Sequence, residues 1–352
     1  MYSHHSHSGD YVAHGLDCLD DIVAEALILD FKTYCLTEHM PRITDELLYP
    51  EEFCFTNLDK KQSILTSDEA LIRLQAQFKK FMHHAELVKS KYNNTNEYNT
   101  TFLIGSEIEG CDKIHIEYCK KLISENSNVI KFIIGSLHHV NNIPIDFDQE
   151  NWVKAVKSSK NNIKQFLIDY YNQQYEMLVH LKPLIVGHFD LYKLLIPKDL
   201  KVNIKTGDII DKNEQSNNEN IVYLNEIDLT TTWKDVEQLI VRNLQFIHSY
   251  DGLIEINTSA LRKDLKEPYP GKSICKLASE HCDNRFLLSD DAHAVSHVGV
   301  CYKKCLEFIT KELALEGLYY LTEDRQTHDI RICYDKMNDI IKDPFWQRIG
   351  DK

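Results

Sequence analysis

Short apolar runs alternate with longer segments of helical period along most of this chain. Residues 33–37, 101–106, 129–136, 184–187, 253–257 and 285–289 are apolar and bounded by polar or breaking residues, and they read as buried strands. Between them the apolar positions fall three and four apart. Leu19, Ile22, Val23, Ala26 and Leu27 predict a helix within 17–31 with Asp17 as its N-cap; Leu71, Leu74, Phe78, Met82, Ala85 and Val88 predict a long amphipathic helix over 68–92. Helical pattern also covers 114–123, 150–181, 232–250 and 273–281, and the chain beyond 298 reads as mixed helix with one strand near 318–321. Counting the opening residues as a strand gives seven strands separated by helices, with no compositional break to mark a linker. Such alternation implies an α/β fold with a parallel sheet. Two stretches, 42–100 and 198–230, are expected to be insertions; the second is polar, rich in Asn and without a sustained period.

Each apolar run gives way to polar residues of a consistent kind. The opening stretch carries His5 and His7 around Ser6, with His14 after it. In extended backbone alternate side chains share a face, so His5 and His7 can reach one ion while Ser6 points away. An expression tag would be an unbroken histidine run, which this is not. The next strands deliver His39, Glu107, His138 with His139, His188, and Asp291 with His293. In a barrel of βα units the ligand site gathers at the carboxyl ends of the strands. Imidazoles and carboxylates at six of the seven ends form the donor set of borderline divalent metals, so a multinuclear metal site is expected. Neighbouring strand residues face opposite ways, so only His138 of its pair should join that site.

Composition narrows the function. The chain has 352 residues, 43% hydrophobic and 27% charged, which is globular composition and long enough for one large barrel. No run approaches the roughly 18 apolar residues of a membrane span, and the polar N-terminus is not a secretory signal. Ten cysteines without a CxxC pair, several in apolar patterns such as Cys35 and Cys119, suit free thiols in a cytoplasmic setting. A net charge of −14 repels a long polyanion, whereas a small phosphorylated ligand needs only a few cationic groups in one pocket.

The motifs His5-Ser6-His7, Thr37-Glu38-His39, Gly135-Ser136-Leu137-His138 and Asp291-Ala292-His293 resemble, in order, the four motifs of the PHP (polymerase and histidinol phosphatase) superfamily. Together with Gly105-Ser106-Glu107, Gly187-His188 and the run from Glu255 to Arg262, the set resembles the fungal-type, monofunctional histidinol-phosphate phosphatase branch. The resemblance implies a distorted (β/α)7 TIM-like barrel in a single domain, 1–352, holding three divalent metal ions, zinc, manganese or iron. It implies that His5, His7, Glu107 and Asp291 hold one ion, that Glu107 bridges to a second held by His138 and His188, and that His14, His39 and His293 hold the third. Ser3 departs from the pattern, since many members have Asp there.

The activity that this resemblance implies is metal-dependent hydrolysis of a phosphomonoester, L-histidinol phosphate, in histidine biosynthesis. Divalent ions acidify bound water and offset phosphoryl charge. Asp291 can act as a ligand or relay a proton to the leaving oxygen. Arg262 is the first candidate to grip phosphate, because a guanidinium binds two oxygens at once, and Arg42 the second. Lys193 and Lys263 are read as solvated, and His115, His180, His248, His281, His297 and His328 receive no role. A nuclease or general phosphoesterase of the same superfamily is the alternative, and a catalytically silent metal-binding module a third.

Overall fold

Seven short parallel strands form one curved sheet in sequential order: β1 (Tyr2–Ser3), β2 (Thr33–Leu36), β3 (Thr101–Glu109), β4 (Phe132–Ser136), β5 (Ile185–Val186), β6 (Leu253–Asn257) and β7 (Phe286–Ser289). The computed structural model describes residues 1–56, 62–95, 97–210, 219–324 and 326–350. Between β7 and β1 the ring is joined by a parallel bridge between Ser6 and Ala292, by a hydrogen bond from His7 N to Ala292 O at 2.7 Å, and by Ser3 Oγ donating to Asp290 Oδ1 at 2.8 Å. Ser3, the position that departs from the motif pattern, therefore helps to close the ring. The seam is locally specified, which explains how a two-residue strand can hold its place.

Helices pack outside the strands. They include α1 (Leu19–Ile28), α2 (Ser67–Asn93), α3 (Lys113–Glu125), α4 (Gln149–Ser158), α5 (Ile163–Leu181), α6 (Lys234–Ser249), α7 (Ser259–Arg262) and α8 (Lys272–His281), and beyond β7 the chain adds short helices at Tyr302–Glu307, Met337–Ile341 and Phe345–Arg348. The apolar stripe of α1 buries Leu19, Ile22, Val23 and Ala26. Its N-cap position is Cys18, and the Leu19 amide donates to Asp10 Oδ2 at 2.9 Å. Asp17, expected as the cap, instead accepts from Val295 N at 2.7 Å and so ties two loops of the barrel mouth together. The α2 N-terminus has a capping box, Thr66 with Glu69. The helical stretch 150–181 is two helices, because Lys160 and Asn161 take positive φ and Asn162 caps α5. The strand expected from 129 begins at Phe132, since the Val129 amide turns back to Asn126 O.

Two segments hold more structure than their aperiodic sequence suggested. Residues 198–230 include an antiparallel sheet of Lys201–Asn203, Ile209–Ile210 and Ile221–Tyr223; residues 211–218 of that stretch lie outside the described residues. The strand expected near 318–321 is half of a hairpin, β8 (Gly317–Glu323) and β9 (Ile330–Lys336).

The barrel interior explains the rest. Cys35, Leu103, Phe132, Ile134, Ile185, Leu253 and Leu287, one or two from each of six strands, form an apolar layer completed by Leu321 of β8. Thr33 Oγ1 donates to Leu321 O at 2.9 Å, and the Leu321 amide donates to His4 Nε2 at 3.1 Å. His4 Nδ1 in turn donates to Leu288 O at 2.8 Å; burial pushes this ring's pKa down to about 4, so His4 is a neutral structural residue. The hairpin thus seals the end where the strands begin.

Candidate metal centre

At the opposite end the interior turns polar. Moving along each strand by an even number of residues keeps the same face. From Leu103 to Glu107, Ile134 to Ser136, Leu253 to Glu255 and Leu287 to Ser289, that step passes from hydrocarbon to donors and acceptors, all of them buried. Glu107 is the hub. Its Oε2 lies 3.3 Å from His5 Nε2, 3.4 Å from His7 Nε2 and 2.7 Å from His39 Nδ1; its Oε1 lies 2.9 Å from His188 Nε2 and 3.4 Å from His138 Nε2. The two oxygens of one carboxylate therefore face two different sets of imidazoles.

Three other carboxylates orient those imidazoles from behind. His5 Nδ1 donates to Glu255 Oε1 at 2.8 Å, and His138 Nδ1 to Glu109 Oε2 at 2.9 Å; His7 Nδ1 sits 3.4 Å from Glu38 Oε2. Each carboxylate is itself held: Glu255 by the His188 amide and Asn257, Glu109 by the His138 amide, Glu38 by the Ser8 amide and hydroxyl. Fixing a proton on Nδ1 leaves the Nε2 lone pair pointing inward, which is how proteins orient metal-binding histidines. Glycine at 187 belongs to this arrangement, because a Cβ there would meet Ser136 Oγ at 2.6 Å and crowd Glu255 Oε2.

Asp291 is held at φ +50, an uncommon backbone state for a residue with a side chain. Its Oδ2 accepts from Ser259 Oγ at 3.1 Å and Asn257 Nδ2 at 3.3 Å, while Oδ1 faces His7 Nε2 at 3.6 Å and His293 Nδ1 at 3.6 Å. His293 Nδ1 also reaches Asp291 O at 2.9 Å.

In this cluster three groups bring ligand atoms close enough to share an ion: His5, His7 and Asp291; Glu107, His138 and His188; and His7, His39 and His293. A fourth group among the described residues, Cys111, Asp112 and His115, shares none of these ligands. The donors fit a cation in another respect. His5 Nε2, His7 Nε2, His188 Nδ1 and Glu107 Oε2 are buried polar atoms without a hydrogen bond, an arrangement that is costly unless a ligand completes it. Burial raises the pKa of the Glu107 carboxyl, but the imidazoles of His5, His39 and His138 more than reverse this and hold it well below the ordinary range. Burial, then the charge on His7, pushes His39 and His293 well below theirs. The surrounding carboxylates instead outweigh burial at His5 and His138, which are raised well above the ordinary value, and at His7, raised to about 9; a cation binding there displaces those protons.

The sequence-derived set is thus gathered in one place, with one outlier. His14 is 45% exposed and joins none of the three groups; its ring lies 4.8 Å from that of His293 and 5.4 Å from that of His39, and its Nδ1 is 3.7 Å from Glu51 Oε1. His7 stands where His14 was expected. His139 is buried against Tyr49, outside the metal groups, but not through the pleat expected: the strand ends at Ser136, and both rings meet Glu109 Oε2, His138 Nδ1 at 2.9 Å and His139 Nδ1 at 3.5 Å.

A cavity of about 480 Å³ opens over the centre, lined by Arg42, Glu107, His138, His188, Arg262, Asp291 and others. Arg262 reaches Asp291 O at 3.4 Å, and its Nε is buried without a partner. Arg42 lies 4.6 Å over the Tyr49 ring, with Glu52 and Glu109 at 3.7 and 3.8 Å, and its Nε also lacks a partner. Lys263 and His297, given no part from sequence, line the same cavity, whereas Lys193 is engaged by Asp190. Glu38, Glu109 and Glu255 were missed as functional residues. Their signal was present, since each lies two residues or fewer from a motif ligand or inside the Glu255-to-Arg262 run, but which face they take depends on strand register.

Known proteins share both the sequence pattern and the fold. A PHP domain model matches residues 3–259. The histidinol-phosphatase of Saccharomyces cerevisiae is 48% identical over 350 residues, covering 99% of this chain and 100% of the relative; a Schizosaccharomyces pombe protein provisionally given the same name is 34% identical over 309 residues, 88% of this chain and 86% of its own. Among solved structures, a Listeria monocytogenes protein provisionally named histidinol phosphatase aligns with a TM-score of 0.60 at 21% identity over 86% of this chain and 99% of its own. The histidinol phosphate phosphatase of Lactococcus lactis, complexed with zinc, L-histidinol and phosphate, aligns at 0.55 with 13% identity over 88% and 93%.

Proposed function

The chain belongs to the PHP family and, within it, to the histidinol-phosphatases, and on that footing we propose that the strand-end centre hydrolyses L-histidinol phosphate to L-histidinol and inorganic phosphate, a step of histidine biosynthesis. The observation that carries the reading is Glu107, one buried carboxylate whose two oxygens face separate imidazole sets beneath a cavity with two arginines.

In this reading His5, His7, Glu107 and Asp291 hold one divalent ion, Glu107, His138 and His188 a second, and His39 with His293 a third. His14, half-exposed beside those last two rings, would be the remaining candidate ligand for the third. The donors suit zinc, manganese or iron. When bound, such ions make water acidic enough to attack at neutral pH and offset the charge of the phosphoryl oxygens.

The protein's own groups do the rest. Glu38, Glu109 and Glu255 hold the Nδ1 protons, so the imidazoles neither rotate nor change tautomer during turnover. Arg262 and Arg42, each with an unused Nε, bind the phosphoryl oxygens, and fixed donors of this kind cost no reorganisation as charge develops. Asn257 and Ser259 fix Asp291 Oδ2, leaving Oδ1 either to ligate or to take the proton released by the attacking water and hand it to the leaving alkoxide. The partner is a small molecule; the net charge of −14 disfavours nucleic acid. Ten unpaired cysteines suit a cytoplasmic setting, and no described helix is long and apolar enough to cross a membrane. We treat residues 1–352 as one barrel domain carrying insertions near 42–100 and 198–230, the first of which also contains α2, the helix between β2 and β3.

The test is one assay of the purified protein against histidinol phosphate, an aryl phosphate and a short oligonucleotide, with bound metals quantified in the same sample. Histidinol phosphate should be cleaved fastest, and a chelator should abolish the activity. Faster cleavage of the oligonucleotide would overturn the reading.

A further inference from the structure

The mouth of the cavity is divided in charge. Arg262, Lys263 and His297 come after β6 and β7, whereas Tyr49, Asp146 and Phe147 come after β2 and β4, and all six line the cavity. In a ring of seven strands in sequential order, those two groups stand across the mouth from each other. His297 Nδ1 accepts the His293 amide at 3.3 Å, so its Nε2 carries the proton and is a donor. Apart from Asp291, which faces the histidine cluster, the first side offers cations and donors, while the second holds Arg42, already faced by Glu52 and Glu109.

Four carboxylates line the cavity: Glu51, Glu107, Asp146 and Asp291. Glu107 and Asp291 face the histidine cluster, and Glu51 lies beside His14. Asp146 is left. Tyr49 donates its hydroxyl to Asp146 Oδ1 at 3.0 Å, which fixes the carboxylate; Oδ2 has no hydrogen-bond partner among the described residues. Beside it Phe147 remains 37% exposed, its ring 5.6 Å from the Tyr49 ring. Contacts tie this group to the centre, since Arg42 lies over Tyr49 and faces Glu109, the carboxylate that orients His138.

We propose that Asp146 receives the ammonium group of the substrate and that Tyr49 and Phe147 form the surface on which its imidazole rests. The assignment deepens the phosphatase reading and rests on it. A phosphate is repelled by Asp146 and drawn to Arg262 across the mouth and to the buried Arg42 against Tyr49, so Asp146 favours the ammonium end of a zwitterionic phosphoester and the arginines its phosphate. An alcohol phosphate without an amine loses that orientation. Asp146 is therefore a specificity-determining residue, distant from the reacting phosphorus.

Steady-state kinetics of wild type, Asp146→Asn and Phe147→Ala, on histidinol phosphate and on its analogue lacking the amine, decide the matter. Asp146→Asn should lower kcat/KM on histidinol phosphate about 10- to 100-fold, chiefly through KM, the range expected for a hydrogen bond to a charged group. It should leave the analogue's rate and the metal content unchanged. Phe147→Ala should cost roughly 2- to 10-fold on both substrates, because both carry the ring. Equal loss on the two substrates with Asp146→Asn, or no loss on either, overturns the subsite while the wild-type preference for histidinol phosphate stands. A wild type that cleaves an aryl phosphate as well as histidinol phosphate overturns both readings together.

Discussion

The two ends of this barrel are built on the same strands by the same alternation, yet they do opposite work. At the end where the strands begin, Leu103, Leu253, Leu287 and their neighbours meet Leu321 of the C-terminal hairpin in a layer without ligands. At the other end Glu107, Glu255 and Ser289 take the same inward face; the carboxylates are paired or aimed at an ion site, while Ser136 Oγ and Ser289 Oγ are left without a partner. One end is sealed by hydrocarbon and lends stability; the other gathers buried charge, which is costly until a cation completes it. The lesson is that separating the two along one axis lets the core bear the cost of the site.

The comparison breaks most sharply at Glu107. Glu107→Ala removes the carboxylate shared by two imidazole sets, so turnover should fall by about 10³-fold or more, and elemental analysis should show more metal lost than in His14→Ala. A full metal complement in the Glu107 variant would sink the bridging assignment. Next in size is the sealed end. Leu103→Ala should cost about 2–5 kcal/mol in urea unfolding with kcat/KM per folded molecule retained, because the cavity opens far from the chemistry. Lost activity in a still-folded variant would mean that the ends are coupled.

The smallest effect sharpens the boundary between them. Glu255→Gln keeps the shape, but an amide must turn its NH2 either toward His5 Nδ1 or toward the His188 amide and Asn257, and each choice places donor against donor. Metal affinity or activity should fall about 10- to 100-fold, read by metal titration and by kcat, with unfolding stability of the metal-loaded protein nearly unchanged. A variant with wild-type affinity would remove Glu255 from the orienting role.

The sequence alone determined the seven strands, the helices between them and the donors at the strand ends. Those features are written in local period and in residue type at apolar-to-polar junctions, which need no knowledge of distant partners. The four motifs, with the Glu107 and His188 strand ends, located His5, His7, His39, Glu107, His138, His188, Asp291 and His293, and the structure gathers them all. Only the tertiary structure decided what stands behind them. Glu38, Glu109 and Glu255 look in sequence like any acid near a strand end, and their role comes from which imidazole each meets across the ring. The same holds for His4 and His14, which share the opening stretch with the two central histidines. His4 is turned to the hairpin 317 residues away, and His14 is left half-exposed on a loop, because a two-residue strand determines the facing of its own residues and no more. The charge division of the cavity mouth was likewise invisible, since Asp146 and Arg262 are brought across from each other only when the ring closes.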